Sequence, residues 1–231
     1  MSTPKNVQFE EVQSGDSAAV VINRAKGFWE RFSKPITYVG GALIVLLGGY
    51  YAYTHFYQQP REEKAADAIW HAQQYFEQDS LSLALNGDGQ FPGFEKVAKN
   101  YAGTKAGNLA NFYAGVCALR LNDYKKALSF LEGFSSDSRE VQAIAYSRLG
   151  DTYAELGKKD DAVKYYEKAG HYYPEHESLS ADNLFRAGLL SETLGKNDAA
   201  LKFYKEIKEK YPRTDRGYQI DKYLARLGSV D

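Results

Sequence analysis

Between Lys34 and Arg61 the chain carries no Asp, Glu, Lys or Arg. The intervening residues include ITYVGGALIVLLGGYYAYTHFY. About 20 helical residues, at ~1.5 Å rise each, cross a hydrocarbon core of about 30 Å. A buried helix of a soluble protein would be equally apolar. The pairs Gly40-Gly41 and Gly48-Gly49 argue against it, because each Gly costs about 1 kcal/mol relative to Ala in a water-exposed helix. In lipid the backbone cannot trade its hydrogen bonds for water, so glycine is tolerated. Tyr50, Tyr51, Tyr53, Phe56 and Tyr57 crowd one end, and Trp29 and Phe32 precede the other. That is the aromatic pattern of two membrane–water interfaces. Residues 35–60 are therefore expected to form a transmembrane helix.

The apolar stretch begins some way into the chain, and no small-x-small site follows it before the tyrosines. An uncleaved signal anchor is the expectation. Arg24, Lys26, Arg31 and Lys34 precede the span, against Arg61 and Lys64 after it. The positive-inside bias places the N-terminus in the cytoplasm and the C-terminal domain outside. The tail 1–34 is too small to fold alone. It is expected to be disordered through Ser17, with Ala18 to Phe32 as a helix at the membrane surface. Gly41, Gly48 and Ala52 fall within about 40° of one another at ~100° per residue. They form a smooth strip for close contact with another membrane helix, or else reflect the ordinary glycine content of such helices.

Charge limits the partners. Lys and Arg total 29 and Asp and Glu total 30, so no strong field draws the chain to nucleic acid. The single cysteine, Cys117, precludes an internal disulfide, and a fold outside the cytoplasm must rest on its own core. Only 6 prolines occur, which favours long helices.

The region after the span, residues 61–231, repeats. Three turns align: Leu121-Asn122-Asp123, Leu156-Gly157-Lys158-Lys159-Asp160-Asp161 and Leu194-Gly195-Lys196-Asn197-Asp198, each running into Ala127, Ala162 or Ala200. Asn or Gly fits a helix end that needs positive φ. The Asp is expected to cap the following helix. The middle copy reads Tyr146, Leu149, Gly150, Tyr153, Gly157, Ala162, Tyr166, Ala169, Pro174. Those residues resemble the tetratricopeptide repeat (TPR) pattern W-x2-L-G-x2-Y…A-x3-F…A…P. The following copy keeps Gly188, Gly195, Ala200, Tyr204 and Pro212, with Ser191 in place of the tyrosine. The preceding copy keeps Ala114, Gly115, Ala127 and Leu131 and lacks the proline. Repeats are assigned at about 108–141, 143–176 and 181–214. Glu62 to Gln78 and Phe91 to Tyr101 read as a degenerate first helix pair, and Arg216 to Leu227 as the closing helix that solenoids need. The expected fold is all-α: one transmembrane helix, then a TPR α-solenoid of about three repeats with these two additions.

This layout, with Gly93-Phe94, Tyr101-Ala102-Gly103-Thr104 and the ending Tyr211-Pro212-Arg213-Thr214…Lys222-Tyr223-Leu224, resembles the YfgM-like TPR proteins. The loop Leu85-Asn86-Gly87-Asp88-Gly89 is similar to the Bacteroidetes type. The resemblance implies an ancillary subunit beside the SecYEG translocon in the bacterial inner membrane, with its repeat domain periplasmic. It also implies a PpiD-like membrane-anchored chaperone as partner.

Chemistry-bearing constellations are sparse, and neither an enzyme nor a cofactor is expected. His171 and His176 flank Pro174 without a third ligand at suitable spacing. Cys117 sits in an apolar run, as a small core residue would. Setting Gly89 at position six of an EF-hand loop puts Asn86, Asp88 and Glu95 at ligand positions. Ala84 would then stand where a carboxylate is required, which leaves a glycine-rich turn as the expectation.

TPR solenoids bind along the face lined by the first helix of each pair. By register that face carries Leu109, Phe112, Val116 and Leu119, then Ile144, Ser147, Asp151 and Ala154, then Asp182, Phe185, Leu189 and Glu192. It lacks the Lys and Asn of a carboxylate clamp. An apolar strip with a few acids suits an unfolded segment or a partner helix, unless the first helix pair or the closing helix covers it. Two functions stand at this point. One is a translocon-associated scaffold that recruits a chaperone or holds emerging polypeptides. The other is a structural adaptor of another envelope assembly without client binding.

Overall fold

The computed structural model describes residues 14–229. The expectation for the first 13 residues lies outside them. The chain divides into two compact units, residues 1–57 and 58–231.

In the first unit, helix α1 spans Ser14–Ala52, so Ser14–Ser17, expected to be disordered, is helical. A π-helical turn, Tyr53–Gln58, follows. The apolar stretch is long enough to cross a membrane, and none of its residues is buried by protein.

The second unit is a row of helices: α2 (Gln59–Glu77), α3 (Leu81–Asn86), α4 (Phe94–Asn100), α5 (Lys105–Arg120), α6 (Tyr124–Glu132), α7 (Arg139–Glu155), α8 (Lys159–Tyr172), α9 (Glu177–Thr193), α10 (Asn197–Lys210) and α11 (Asp215–Arg226). No strand occurs among the described residues. Pro60 follows the π-helical turn within an unbroken helical run, and its missing N–H leaves a carbonyl of that turn without its helical bond. The helix pairs are 105–132, 139–172 and 177–210, each opening three or four residues before the motif-based boundary.

One turn ends every first helix. Asn122, Gly157 and Gly195 have positive φ. In each case that residue's N–H bonds to the carbonyl three back, and the next N–H to the carbonyl five before it. Asp79 and Gly228 repeat the same two bonds with the same positive φ after α2 and α11. The degenerate first pair therefore keeps the repeat's geometry without its sequence, its second helix being broken into α3 and α4. Helix α11 ends like a first helix, and its outer face carries Gln219, Asp221 and Lys222, as a cap should.

The starts of the first helices share a cap as well. Thr104, Ser138, His176 and Thr214 each accept a backbone N–H from three residues on. The caps of the second helices differ from expectation. Asp123 caps α6, but Lys158 and Lys196 occupy that position for α8 and α10 without a side-chain capping bond. Asp160, Asp161 and Asp198 lie one or two residues inside, where carboxylates favour the positive end of the helix dipole.

Glycine sets the spacing within each pair. A Cβ on Gly115 would stand 2.5 Å from Leu131, on Gly150 2.6 Å from Tyr166, and on Gly188 2.3 Å from Tyr204. Each contact lies sixteen residues on, so the same helix crossing recurs three times. Apolar residues collect in two cores. One surrounds Ile69, Leu85, Phe94 and Val97; the other surrounds Leu184, Phe203, Tyr204, Ile207 and Ile220. Each fully buried large side chain contributes roughly 1.5–3 kcal/mol.

Candidate interaction surface

The first helices α5, α7 and α9 carry the residues that register assigned to a binding face. On α5, Phe112 and Val116 are half-buried, and Phe112 packs its ring 5.1 Å from that of Phe134. Leu109 and Leu119 lean onto the N-terminal core. On α7, Ile144 is half-buried, Ser147 is buried, and Ala154 packs on the C-terminal core. On α9, Leu189 is half-buried against the same core.

Phe185 corrects the expected strip. It is 3% exposed, and its ring meets Tyr223 at 4.7 Å edge-on and Tyr204 at 6.0 Å. The Arg216 guanidinium lies 4.3 Å from its ring centre. Closing helix α11 thus covers the place where an open apolar residue was expected, and Phe185 is core. Ser147 is likewise withdrawn from solvent.

In its place runs a relay of charges. Asp151 accepts from Arg148 at 2.9 Å and Arg186 at 2.8 Å. Arg186 also donates to Asp182 at 2.9 Å, and Asp182 accepts from Arg216 at 2.6 Å. Five side chains on α7, α9 and α11 are joined end to end. Glu192 accepts from Arg226 at 2.5 Å in a parallel link from α9 to α11. Burial, then the neighbouring Asp151 carboxylate, push the Tyr166 hydroxyl well above the usual tyrosine range, and that hydroxyl donates to Asp151 at 2.8 Å. A cleft of about 340 Å³ opens beside the relay, lined by Ser178, Asp182, Thr214, Asp215, Arg216 and Gln219.

The spacing of these pairs is informative. Asp151–Arg186, Asp182–Arg216, Glu192–Arg226, Asp160–Lys196, Arg139–Glu175 and His171–Glu206 are separated by 35, 34, 34, 36, 36 and 35 residues. Each joins one repeat to the next. Sequence reasoning treated the acids as accents on an apolar strip. The opposite charge one repeat away was the signal that would have revealed them as paired.

The remaining chemistry-bearing residues are accounted for locally. Burial pushes the Cys117 thiol up to about 12. Asp88 accepts from the N–H groups of Gln90 and Phe91 through one oxygen and from the Tyr75 hydroxyl through the other. The Phe91 N–H, followed by the Tyr75 hydroxyl, holds its carboxyl below the usual range. Gly87 and Gly89 supply the positive φ of that turn. Among the described residues, no three His, Cys, Asp or Glu side chains gather as a metal site. In the first unit, nothing stands within 4 Å of a Cβ on Gly41 or Gly48, and Ala52 is exposed beside them in register.

Stacked helix pairs with recurrent turns, glycine crossings and inter-repeat bonds define a helical-repeat scaffold for protein–protein interaction. The family described as a tetratricopeptide repeat-like domain matches residues 26–214, and the chain belongs to that family. None of the curated proteins matches the chain.

Proposed function

We propose that this chain is a non-enzymatic, membrane-anchored TPR scaffold of the bacterial inner membrane, oriented with its N-terminus cytoplasmic and its repeats periplasmic. Its place is beside the SecYEG translocon, where it recruits a PpiD-like chaperone or holds newly translocated polypeptides. The observation that carries the reading is an exposed, membrane-length apolar helix on the same chain as a TPR row. A scaffold working in solution needs no anchor, and an anchor alone needs no repeats. The YfgM-like layout supports the choice of translocon, and the four cations before the span support the orientation.

Two surfaces serve the partners in this reading. The strip Gly41, Gly48 and Ala52 admits a second membrane helix at close range. The half-buried residues Phe112, Val116 and Ile144 receive an apolar segment, flanked by Asp151 and the relay. Two weak contacts on one tethered chain give avidity that neither has alone. The test is co-purification in mild detergent followed by mass spectrometry. SecYEG and a periplasmic isomerase are expected with the parent chain, with reduced recovery for Gly48→Leu and for Ile144→Asp. Recovery of cell-wall or outer-membrane machinery instead would establish the adaptor reading.

A further inference from the structure

Helix α1 is longer than a bilayer requires. Its 39 residues extend about 58 Å, against about 30 Å of hydrocarbon. The surplus lies before Pro35, and it is strongly two-sided. At ~100° per residue, Val21, Ile22, Phe28, Trp29, Phe32 and Ile36 share an arc of about 120°. Arg24, Lys26, Glu30, Arg31 and Lys34 occupy the opposite side, where Ala19 and Val20 are the apolar exceptions. Nothing covers the apolar arc: Val21 is 65% exposed and Trp29 61%. A contiguous exposed apolar face of this kind marks a surface for a membrane or another protein.

Charge and continuity identify what covers it. The polar side carries four cations and one acid, a surplus that favours anionic headgroups. The arc also leads directly into the apolar span, with Ile36 belonging to both. Helix α1 runs unbroken through Pro35, and the point where it must bend to lie in the plane is its weakest. Pro35 has no N–H to give the Arg31 carbonyl, and its ring crowds the preceding turn. Two residues on, the Thr37 hydroxyl donates to the Ser33 carbonyl at 2.7 Å, a bond that bends helices.

We infer that residues 20–34 form an in-plane segment, docked by its Val21–Phe28–Trp29–Phe32 face onto an anionic phospholipid leaflet and turning into the span at Pro35. The inference rests on the membrane-span reading above. The segment fixes the height and rotation of the span, as a one-sided anchor must. The cations then act by contact with headgroups as well as by biasing topology.

The test places single nitroxide labels on the full-length chain in vesicles. Native Cys117 is buried with its thiol pushed up to about 12, so an introduced cysteine takes the label. Labels go at Val21→Cys on the apolar arc, Asn23→Cys on the polar arc and Val45→Cys in the span. Their collision rates with oxygen and with a water-soluble nickel chelate are compared in phosphatidylcholine vesicles with and without phosphatidylglycerol. An upright helix would hold position 21 about 21 Å beyond Pro35, in water. An in-plane helix holds it about 5–10 Å below the headgroups. With phosphatidylglycerol present, the label at 21 is expected to favour oxygen, as 45 does, while 23 favours nickel. Combining Arg24→Glu with Lys26→Glu should return 21 to the nickel-accessible range. A label at 21 as nickel-accessible as 23 would overturn the in-plane segment. Equal burial of 21 without phosphatidylglycerol would overturn the anionic preference. Nickel access at 45 would instead overturn the span itself.

Discussion

Gly188→Ala should destabilise the repeat domain, although alanine is the better helix former. Intrinsic preference alone would stabilise α9 by about 1 kcal/mol. The new Cβ, however, would stand 2.3 Å from Tyr204 Cε1, where ordinary contact begins near 3.4 Å. Tyr204 cannot swing away. It is fully buried, with the rings of Phe185 and Tyr223 beside it at 6.0 and 5.6 Å. Overpacking of this kind costs roughly 1–3 kcal/mol, so after the helix gain the net loss should be up to about 2 kcal/mol. In the compact unit beginning at Gln58 that corresponds to a Tm lower by up to about 8 °C. The assay is thermal unfolding followed by circular dichroism, run as a double-mutant cycle with Tyr204→Leu. Removing the ring removes the clash, so the double variant should be more stable than the sum of the single effects predicts. Gly115→Ala should destabilise as well, because its Cβ would stand 2.5 Å from Cγ of the buried Leu131. A raised Tm for Gly188→Ala, or strict additivity in the cycle, would refute the proposed helix crossing.

Three further outcomes follow from burial and charge. Phe185→Ser should cost about 3–5 kcal/mol through lost core contacts, lowering the Tm instead of selectively weakening a partner; a scan of the variant checks this. Glu206 has a side chain only 13% exposed; burial would raise its pKa, but bonds from Lys210 and His171 together hold it below the usual range. A depressed carboxyl stabilises the fold above its unfolded value near 4.5, and that stability is lost as the pH falls through the folded value. Glu206→Gln should therefore show a shallower loss of Tm between neutral and strongly acidic pH than the parent. Finally, Cys117 should resist a thiol reagent at neutral pH in the native protein and react fully in denaturant, as read by mass.

Much of this architecture was legible because the TPR signature is written in small residues whose roles are steric. Gly115, Gly150 and Gly188 mark helix crossings, and Asn122, Gly157 and Gly195 mark turns that need positive φ. The first pair was harder to read. Asp79 supplies the same turn with a residue that carries no glycine signal, and the Asp88 turn splits the second helix. The caps of α8 and α10 were misread because a carboxylate one or two residues inside a helix looks, in sequence, like one at its boundary. Phe185 was misplaced for a different reason. A periodic rule gives the face of a helix but not what lies across it, and α11 packs on that face only at the end of the row.

The links between repeats bear on how the scaffold works. Along α7, α9 and α11 the carboxylates Asp151, Asp182 and Glu192 are each held by an arginine of a neighbouring repeat, so they are spent on fixing one repeat against the next. Exposed pairs contribute little singly, at most about 1 kcal/mol. A connected series on one face still resists relative rotation of repeats more than isolated pairs would. On α5 the half-buried Phe112 packs on Phe134 instead, and Val116 is likewise half-buried. The N-terminal half is linked as well, by Arg120–Asp79, by Lys126–Glu95 and by the Glu62 carboxylate, which accepts from the N–H groups of Lys105 and Ala106. In the proposed anchored reading, a partner segment seated on Phe112, Val116 and Ile144 would meet repeats already fixed to one another by these links, so little reordering would accompany its binding.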